Sequence, residues 1–320
     1  MKILAPTSIE LDESKLGLQA DDELVAYDPQ ANLPEDTYDA DVMIIWANSS
    51  EQLADAAKNL HSVKLLQALL AGPDQVRGAG FRSEAVITSG VGLHSLTVAE
   101  HTLALALNFV RFLPTLAKAQ EDNRWASELG GAQELYPKDQ LTTLLNANVL
   151  IWGFGSIGQE TARLFDAFGA HVTGVARSAG MRGGFPVITD EQLREYLPKT
   201  DVLVMVLPAS EETKDSLNIE VLKQLPSRAF IINVGRGVTV NEADLIDALN
   251  KNEIAGAALD VVSEEPLPSD NPLWNVPNLV ITPHAAGGRP VNPEELIAQN
   301  ITALRANVAG DETQYRNKMN

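Results

Sequence analysis

The residues best suited to chemistry at a polar double bond are Arg236 in NVGRG, the glutamate pair of LDVVSEEP and His284 in TPHAAG. A guanidinium orients a carbonyl and stabilises negative charge developing on its oxygen. A protonated imidazole delivers a proton to that oxygen and takes one back in the reverse direction. A neighbouring carboxylate favours imidazolium, keeping a donor proton at hand near neutral pH. Spacing alone does not choose between Glu264 and Glu265. Plain structural roles are also open, with Arg236 as a loop tether and His284 as a local backbone cap. His61, His94, His101 and His171 form no recognisable ligand pattern, and cysteine is absent, so no metal is expected.

These residues need a partner that moves electrons, and the stretch NVLIWGFGSIGQETARLFDAF, Asn148 to Phe168, offers a seat for one. Val149 to Trp152 reads as a buried strand, and Gly153, Gly155 and Gly158 turn the chain into a helix. Ile157, Leu164, Phe165 and Phe168 recur on one face of that helix. The first glycine permits the turn, the second admits phosphates, and the third lets helix and strand approach closely. Backbone N–H groups at the helix start, around Ser156 and Ile157, then point at an anion. The expected ligand is a nicotinamide dinucleotide. About 20 residues on, where such folds commonly place a ribose-binding carboxylate, the chain instead reads Ala176-Arg177-Ser178, with Arg182 beyond. Arg177 and Ser178 suit a 2′-phosphate, so NADP is favoured over NAD, with dual use left open.

The elements that must position these groups alternate throughout the chain. Met1–Leu4, Leu24–Tyr27, Val42–Trp46, Val63–Leu69 and Ala85–Thr88 read as strands of a smaller parallel unit, with Leu53–Leu60 helical. Its ligand-facing loops are expected at Ala47–Ser49, Leu70–Pro73 and Gly90–Ser95. Val98–Leu113 reads as a long apolar helix, either buried within the chain or at a subunit contact, followed by a polar arm to Gln140. Strands follow the glycine turn at Val172–Val175, Val202–Leu207, Ala229–Val234, Ile254–Leu259 and Leu279–Thr282. Asn241 and Asn292 read as helix caps, the latter before Pro293. The final polar residues read as mobile. The expected fold class is α/β with two domains: a doubly wound parallel-sheet cofactor domain, residues 99–289, and a smaller flavodoxin-like substrate domain, residues 1–98 with 290–320. A cleft is expected between them.

Length and composition narrow the function. A chain of 320 residues has room for two cores. A formal charge of −19 disfavours nucleic acid, which rewards a basic footprint. No transmembrane stretch is present, and MKILAPTSIELDE turns acidic too early for a secretory signal. No membrane partner and a cytoplasmic location are expected.

Taken in order, VAEHTLALAL, the glycine fingerprint, LPASEET, INVGRG, the Asp-to-Glu-Pro segment and TPH make the chain resemble the D-isomer-specific 2-hydroxyacid dehydrogenase family over nearly its whole length. The resemblance implies that Arg236 contacts the substrate carboxylate and carbonyl, that Glu265, immediately before Pro266, supports the histidine, and that His284 transfers the proton. It implies backbone capture of the substrate carboxylate at Leu70-Ala71-Gly72, where Leu70 replaces the family's usual serine. Asn48 and His94 are the other substrate-side candidates. On the cofactor side it implies Pro208 at the adenine wall and Asp260 near the nicotinamide, and Val234, at the end of the Ala229–Val234 strand, is a further cofactor-side candidate. The implied reaction is reversible reduction of a small 2-oxoacid to a D-2-hydroxyacid; the long apolar helix and the arm after it suggest a homodimer. Alternatives are a short-form phosphoglycerate dehydrogenase, or a nicotinamide-sensing, corepressor-like binding protein.

Overall fold

The computed structural model describes residues 1–72 and 74–319; Pro73, within the expected Leu70–Pro73 loop, and Asn320 lie outside the described residues. The strands in chain order are β1 Lys2–Pro6, β2 Glu23–Tyr27, β3 Val42–Ile45, β4 Leu65–Ala68, β5 Val86–Thr88, β6 Asn148–Trp152 and β7 His171–Val175. They continue as β8 Gly180–Arg182, β9 Phe185–Ile188, β10 Val202–Met205, β11 Phe230–Asn233, β12 Gly256–Leu259 and β13 Leu279–Ile281. The helices are α1 Ser50–Asn59, α2 Asp74–Gly78, α3 Ser95–Val110, α4 Leu113–Glu121 and α5 Ser156–Ala167. The remaining ones are α6 Leu193–Tyr196, α7 Ile219–Leu222, α8 Glu242–Asn250 and α9 Pro293–Ala309.

The chain divides into two compact units, Met1–His94 with Arg289–Asn320, and Ser95–Gly288. In the first, β2-β1-β3-β4-β5 form a five-stranded sheet in which each pairing is parallel. Residues β3 and β4 are buried throughout, as a sheet covered on both faces requires. The second unit carries an eight-stranded sheet, β13-β12-β11-β10-β6-β7-β9-β8, parallel except for the β8–β9 hairpin. Alternate residues of β6 feed two cores: Val149 and Ile151 one, Leu150 and Trp152 the other. This is an α/β fold with a Rossmann-like parallel sheet and a separate smaller sheet.

Several local expectations change in the structure. The buried stripe of α5 is Gly158, Thr161, Ala162 and Phe165, while Phe168 is 46% exposed. Small side chains face inward because α3 packs against α5 and demands close approach. Fully burying Phe165 contributes about 1.5–3 kcal/mol. The long apolar helix stops at Val110, since Phe112 is left-handed (φ 55), and the chain bends 63° into α4. Val98, Leu105, Ala106 and Val110 join the core of their own unit, so burial within the chain accounts for much of its apolar surface. Asn241 caps α8 by accepting from the Asp244 N–H. Asn292 does not cap α9: its backbone is left-handed (φ 50), whereas a capping side chain needs an extended backbone to reach the first turn. The polar segment after α9, read as mobile, is bonded to the edge of β5. Among the described residues, no single helix is long and apolar enough to cross a membrane.

Candidate active site

Parallel pairing sets Asn233, Leu259 and Ile281 level across β11, β12 and β13. Neighbouring strands lie about 4.8 Å apart, so the loops leaving their carboxyl ends emerge side by side. Arg236 lies three residues beyond Asn233, Asp260 directly follows Leu259, and His284 lies three residues beyond Ile281. The buried Asn233 side chain folds the first loop, accepting from the Gly235 N–H (3.0 Å) and donating to the Arg236 carbonyl (3.1 Å). Thr239 Oγ1 donates to the same carbonyl at 2.7 Å. Gly237 follows because a Cβ there would lie 1.9 Å from the Val262 carbonyl carbon. The first loop is thus pressed onto the second.

The second loop turns Glu265 toward His284, whose Nδ1 lies 2.7 Å from Glu265 Oε2. The Val262 N–H donates to the other carboxylate oxygen at 3.1 Å. This geometry selects Glu265 over Glu264, which spacing had left open. With Nδ1 engaged, Nε2 is the ring atom available to a ligand. His284 is itself left-handed (φ 51), held by its N–H donating to the carbonyls of Asp260 (2.8 Å) and Thr282 (3.0 Å). Asp260, Glu265 and His284 line a cavity of about 580 Å³ with Leu267 and Trp274.

Asp260 is 2% exposed, yet it is surrounded by donors. Thr282 Oγ1 (2.6 Å) and the Ala285 N–H (2.9 Å) donate to Oδ1, and the Ala286 N–H (3.1 Å) donates to Oδ2. His101 Nε2 lies 3.3 Å from Oδ1 and 3.0 Å from Thr282 Oγ1. Burial by itself pushes the carboxyl up, but the bonds from His101, Thr282 and the two amides outweigh it and hold it below its usual value. As pH falls, the unfolded chain therefore takes this proton first. The stability from Asp260 is full above the ordinary aspartate value of 3.8 and is lost as pH falls through the lower folded one. Asp260→Asn would turn an amide donor toward the Ala286 N–H, so at pH 7 it is expected to destabilise the unit by about 1–3 kcal/mol. Identical urea midpoints for the two proteins at pH 7 would reject this. His101 and Thr282 lie within the VAEHTLALAL and TPH motifs, but their link to Asp260 is visible only in the folded chain, where residues 159 and 22 positions away meet it.

A second cavity, about 920 Å³, opens over the glycine turn and is lined by Gly153, Gly155, Ser156, Ile157, Gly158, Arg177, Arg182 and Pro208 among others. The glycines fit a dinucleotide pyrophosphate. Gly153 has φ +105 and abuts the Val206 carbonyl, and a Cβ on Gly158 would meet the Gly153 carbonyl oxygen at 2.5 Å. A Cβ on Gly155 would meet only open space, and Gly155 caps α5 without a side-chain acceptor. Ser178 is not among the lining residues; its hydroxyl and carbonyl accept from Arg182 instead, at 2.6 and 3.0 Å. Its place is to hold Arg182, which does line the cavity, because β8 and β9 fold back as a hairpin not evident in the residue pattern. That hairpin also brings Asp190, unforeseen, to the cavity wall, where it accepts from Trp152 Nε1 at 2.7 Å. Val234 is a buried core residue, and its N–H donates to the Met205 carbonyl.

The substrate-side candidates lie in the first unit. Leu70, Ala71 and Gly72 are half-buried beyond the carboxyl end of β4. Asn48 is a correction as a ligand donor: its amide already donates to Tyr27 Oη (2.9 Å) and Gln52 Oε1 (2.6 Å), and its oxygen accepts from the Trp46 N–H. His94 is likewise a correction. It is 4% exposed, with Nε2 2.7 Å from the Leu69 carbonyl and its ring stacked on Trp46. Both side chains build the loops that sequence position had marked as ligand-facing.

Residues 103–286 match the family model described as D-isomer specific 2-hydroxyacid dehydrogenase, NAD binding domain. The chain is similar to glyoxylate/hydroxypyruvate reductase A of Yersinia enterocolitica, 30% identical over 296 residues that cover 89% of each. It is similar to the crystal structure of a D-isomer specific 2-hydroxyacid dehydrogenase family protein from Aeromonas salmonicida subsp. salmonicida. The identity there is 27% and the TM-score 0.79, over 100% of this chain and 98% of that one. A third similarity is to a D-isomer specific 2-hydroxyacid dehydrogenase from Xanthobacter autotrophicus in complex with NADPH and MES. It is 26% identical, with TM-score 0.76, over 100% of this chain and 97% of that one.

Proposed function

The chain belongs to the D-isomer-specific 2-hydroxyacid dehydrogenase family and is an NAD(P)-dependent oxidoreductase of that type; from this premise we propose that it reduces glyoxylate or hydroxypyruvate, with NADPH preferred. The carrying observation is the His284–Glu265 pair, on the loops leaving β13 and β12, beside the loop of β11 that carries Arg236. The two names come from the Yersinia relative, and the preference draws support from the NADPH complex of the Xanthobacter enzyme. Bound reduced nicotinamide supplies a hydride to the 2-oxo carbon. As that carbon is reduced, Arg236 stabilises the charge gathering on the carbonyl oxygen, and His284 Nε2 releases a proton to it. Glu265 holds the ring so that Nε2 faces the substrate. Backbone N–H groups at Ala71 and Gly72 bind the substrate carboxylate, and Asp260 takes the nicotinamide side.

Arg177 and Arg182 are the cations for a 2′-phosphate, at a strand end where Ala176 stands in place of a ribose-binding carboxylate, with Asp190 and Glu212 elsewhere on the cavity wall. The smaller unit, whose strand order 2-1-3-4-5 is that of flavodoxin-like folds, is the substrate domain. The doubly wound larger unit is the cofactor domain. A homodimer completes the reading, supported by exposed apolar side chains on α4 and the following arm: Leu113, Leu116 and Trp125, the last 90% exposed.

Steady-state turnover of glyoxylate, hydroxypyruvate, pyruvate and a branched 2-oxoacid with NADPH and NADH tests this. The first two substrates with NADPH are expected to be fastest. Arg177→Ala is expected to weaken NADPH by about tenfold or more, the cost of a charge-assisted hydrogen bond, and NADH little. Equal effects on both cofactors would reject the phosphate contact. Cofactor binding without turnover of any acid would point instead to a sensor.

A further inference from the structure

We infer that Asn317 is a positioning residue that clamps the loop Ser89–Leu93 against the Leu70–Gly72 turn, and so sets the pocket for the 2-oxoacid carboxylate. This rests on the reaction proposed above. β5 is the edge strand of its sheet, and the segment 317–319 covers it. Lys318 bridges Thr88 in antiparallel fashion, the Met319 N–H donates to the Ile87 carbonyl (2.9 Å), and the Ser89 N–H donates to the Asn317 carbonyl (3.0 Å). At Asn317 the backbone is left-handed (φ 57), and its side-chain amide turns back over the loop. Nδ2 donates to the carbonyls of both Ser89 (3.1 Å) and Val91 (2.8 Å). One side chain thus holds two carbonyls of a loop that contains no regular structure.

The opposite side of that loop rests on the turn after β4. The Gly90 N–H donates to the Leu70 carbonyl at 2.7 Å, and a Cβ on Gly90 would lie 2.0 Å from the Leu69 carbonyl oxygen. The loop is therefore one backbone thick between Asn317 and Leu69–Leu70. Any loosening at Asn317 reaches the turn whose N–H groups take the carboxylate.

A buried network fixes the clamp's register. Asn300, on α9, accepts from the Arg316 N–H (2.8 Å) and donates to the Arg316 carbonyl (3.1 Å) and to Gln67 Oε1 (2.6 Å). Gln67 Oε1 also accepts from Thr88 Oγ1 at 2.9 Å. Asn300, Gln67 and Thr88 are fully buried, so displacing the segment would leave buried polar groups unpaired, which is costly. Arg77 adds an outer tie, donating to the Met319 carbonyl at 2.9 Å.

Asn317→Gly separates the amide from the backbone, since glycine adopts the left-handed conformation without strain. Asn317→Asp is a second variant that keeps the shape but leaves no donor for the two carbonyls. Both are expected to raise the KM for glyoxylate about tenfold, the sum of two modest hydrogen bonds, with kcat and the KM for NADPH unchanged. Hydrogen exchange across residues 86–94 is expected to quicken in both. Unchanged exchange overturns the clamp. Quickened exchange with an unchanged KM for glyoxylate overturns its link to substrate, and a fall in kcat without a change in KM overturns it equally. If the unsubstituted protein turns over no 2-oxoacid, the proposed reaction fails, while the exchange measurement still decides whether Asn317 holds the loop.

Discussion

His284→Ala is expected to lower kcat for 2-oxoacid reduction by about 10²–10⁴-fold, the contribution of a positioned general acid, while cofactor binding is retained. Retention follows from where the side chain sits. His284 lines the cavity shared with Asp260 and Glu265, whereas the glycine turn, Arg177 and Arg182 line a different one. The ring is tied at Nδ1 to Glu265, and the loop is held through backbone bonds to Asp260 and Thr282 that alanine can keep. Removing the imidazole therefore removes Nε2, the ring atom left available by the Nδ1–Glu265 bond, and little of the scaffold. Single-turnover NADPH oxidation with glyoxylate, alongside a fluorescence titration of NADPH, separates the two. Turnover equal to that of the unsubstituted protein would remove His284 from the reaction. Glu265→Gln is the companion measurement. It keeps a hydrogen-bond partner for Nδ1 without the charge, so its loss should be the smaller of the two.

Arg236→Ala is expected to cost about 10²–10³-fold in kcat/KM, the range for removing one donor aimed at a developing oxyanion. Arg236→Lys should recover only part of this, because an ammonium lacks the planar fork that spans carboxylate and carbonyl together. Neither substitution should change stability much. The loop is shaped by Asn233 and Thr239 acting on the Arg236 carbonyl, and the guanidinium's own bond, Nη1 to the Gly235 carbonyl at 2.8 Å, is a half-buried local one. Thermal unfolding and steady-state kinetics on the same preparations check both halves. A matched loss of kcat/KM and of melting temperature would reassign Arg236 to the fold. An unchanged kcat/KM would leave the carbonyl without its cation.

Much of the cofactor side was legible because it is local. A strand, three glycines at fixed spacing and a helix lie within 21 consecutive residues, Asn148 to Phe168, and the backbone conformations they need are written in residue type. Arg236, the Glu264–Glu265 pair and His284 were legible as chemistry, and their order along the chain was legible as a family. What spacing left open was which glutamate meets the imidazole. That needed β12 and β13 side by side, so that a loop of one strand delivers Glu265 to the histidine of the next.

The substrate side was the least legible in the sequence. Asn48 and His94 occupy loop positions that suggested a ligand, yet each is consumed by bonds to the backbone or to neighbours such as Tyr27, Gln52 and Trp46. Asn292 has the residue type of a cap without the backbone of one. Arg182 and Asp190 reach the cofactor cavity only because a short hairpin folds back beside β7.

By itself, then, the sequence determined most of the parallel strands, the glycine cradle and the set of reactive side chains, since these depend on residue type and on neighbours a few positions away. Only the tertiary structure decided which side chains remain available for chemistry and which are spent on the fold. The partners that decide it, such as Asp260 with His101 or Ser89 with Asn317, lie more than a hundred residues apart and meet only when the sheets assemble.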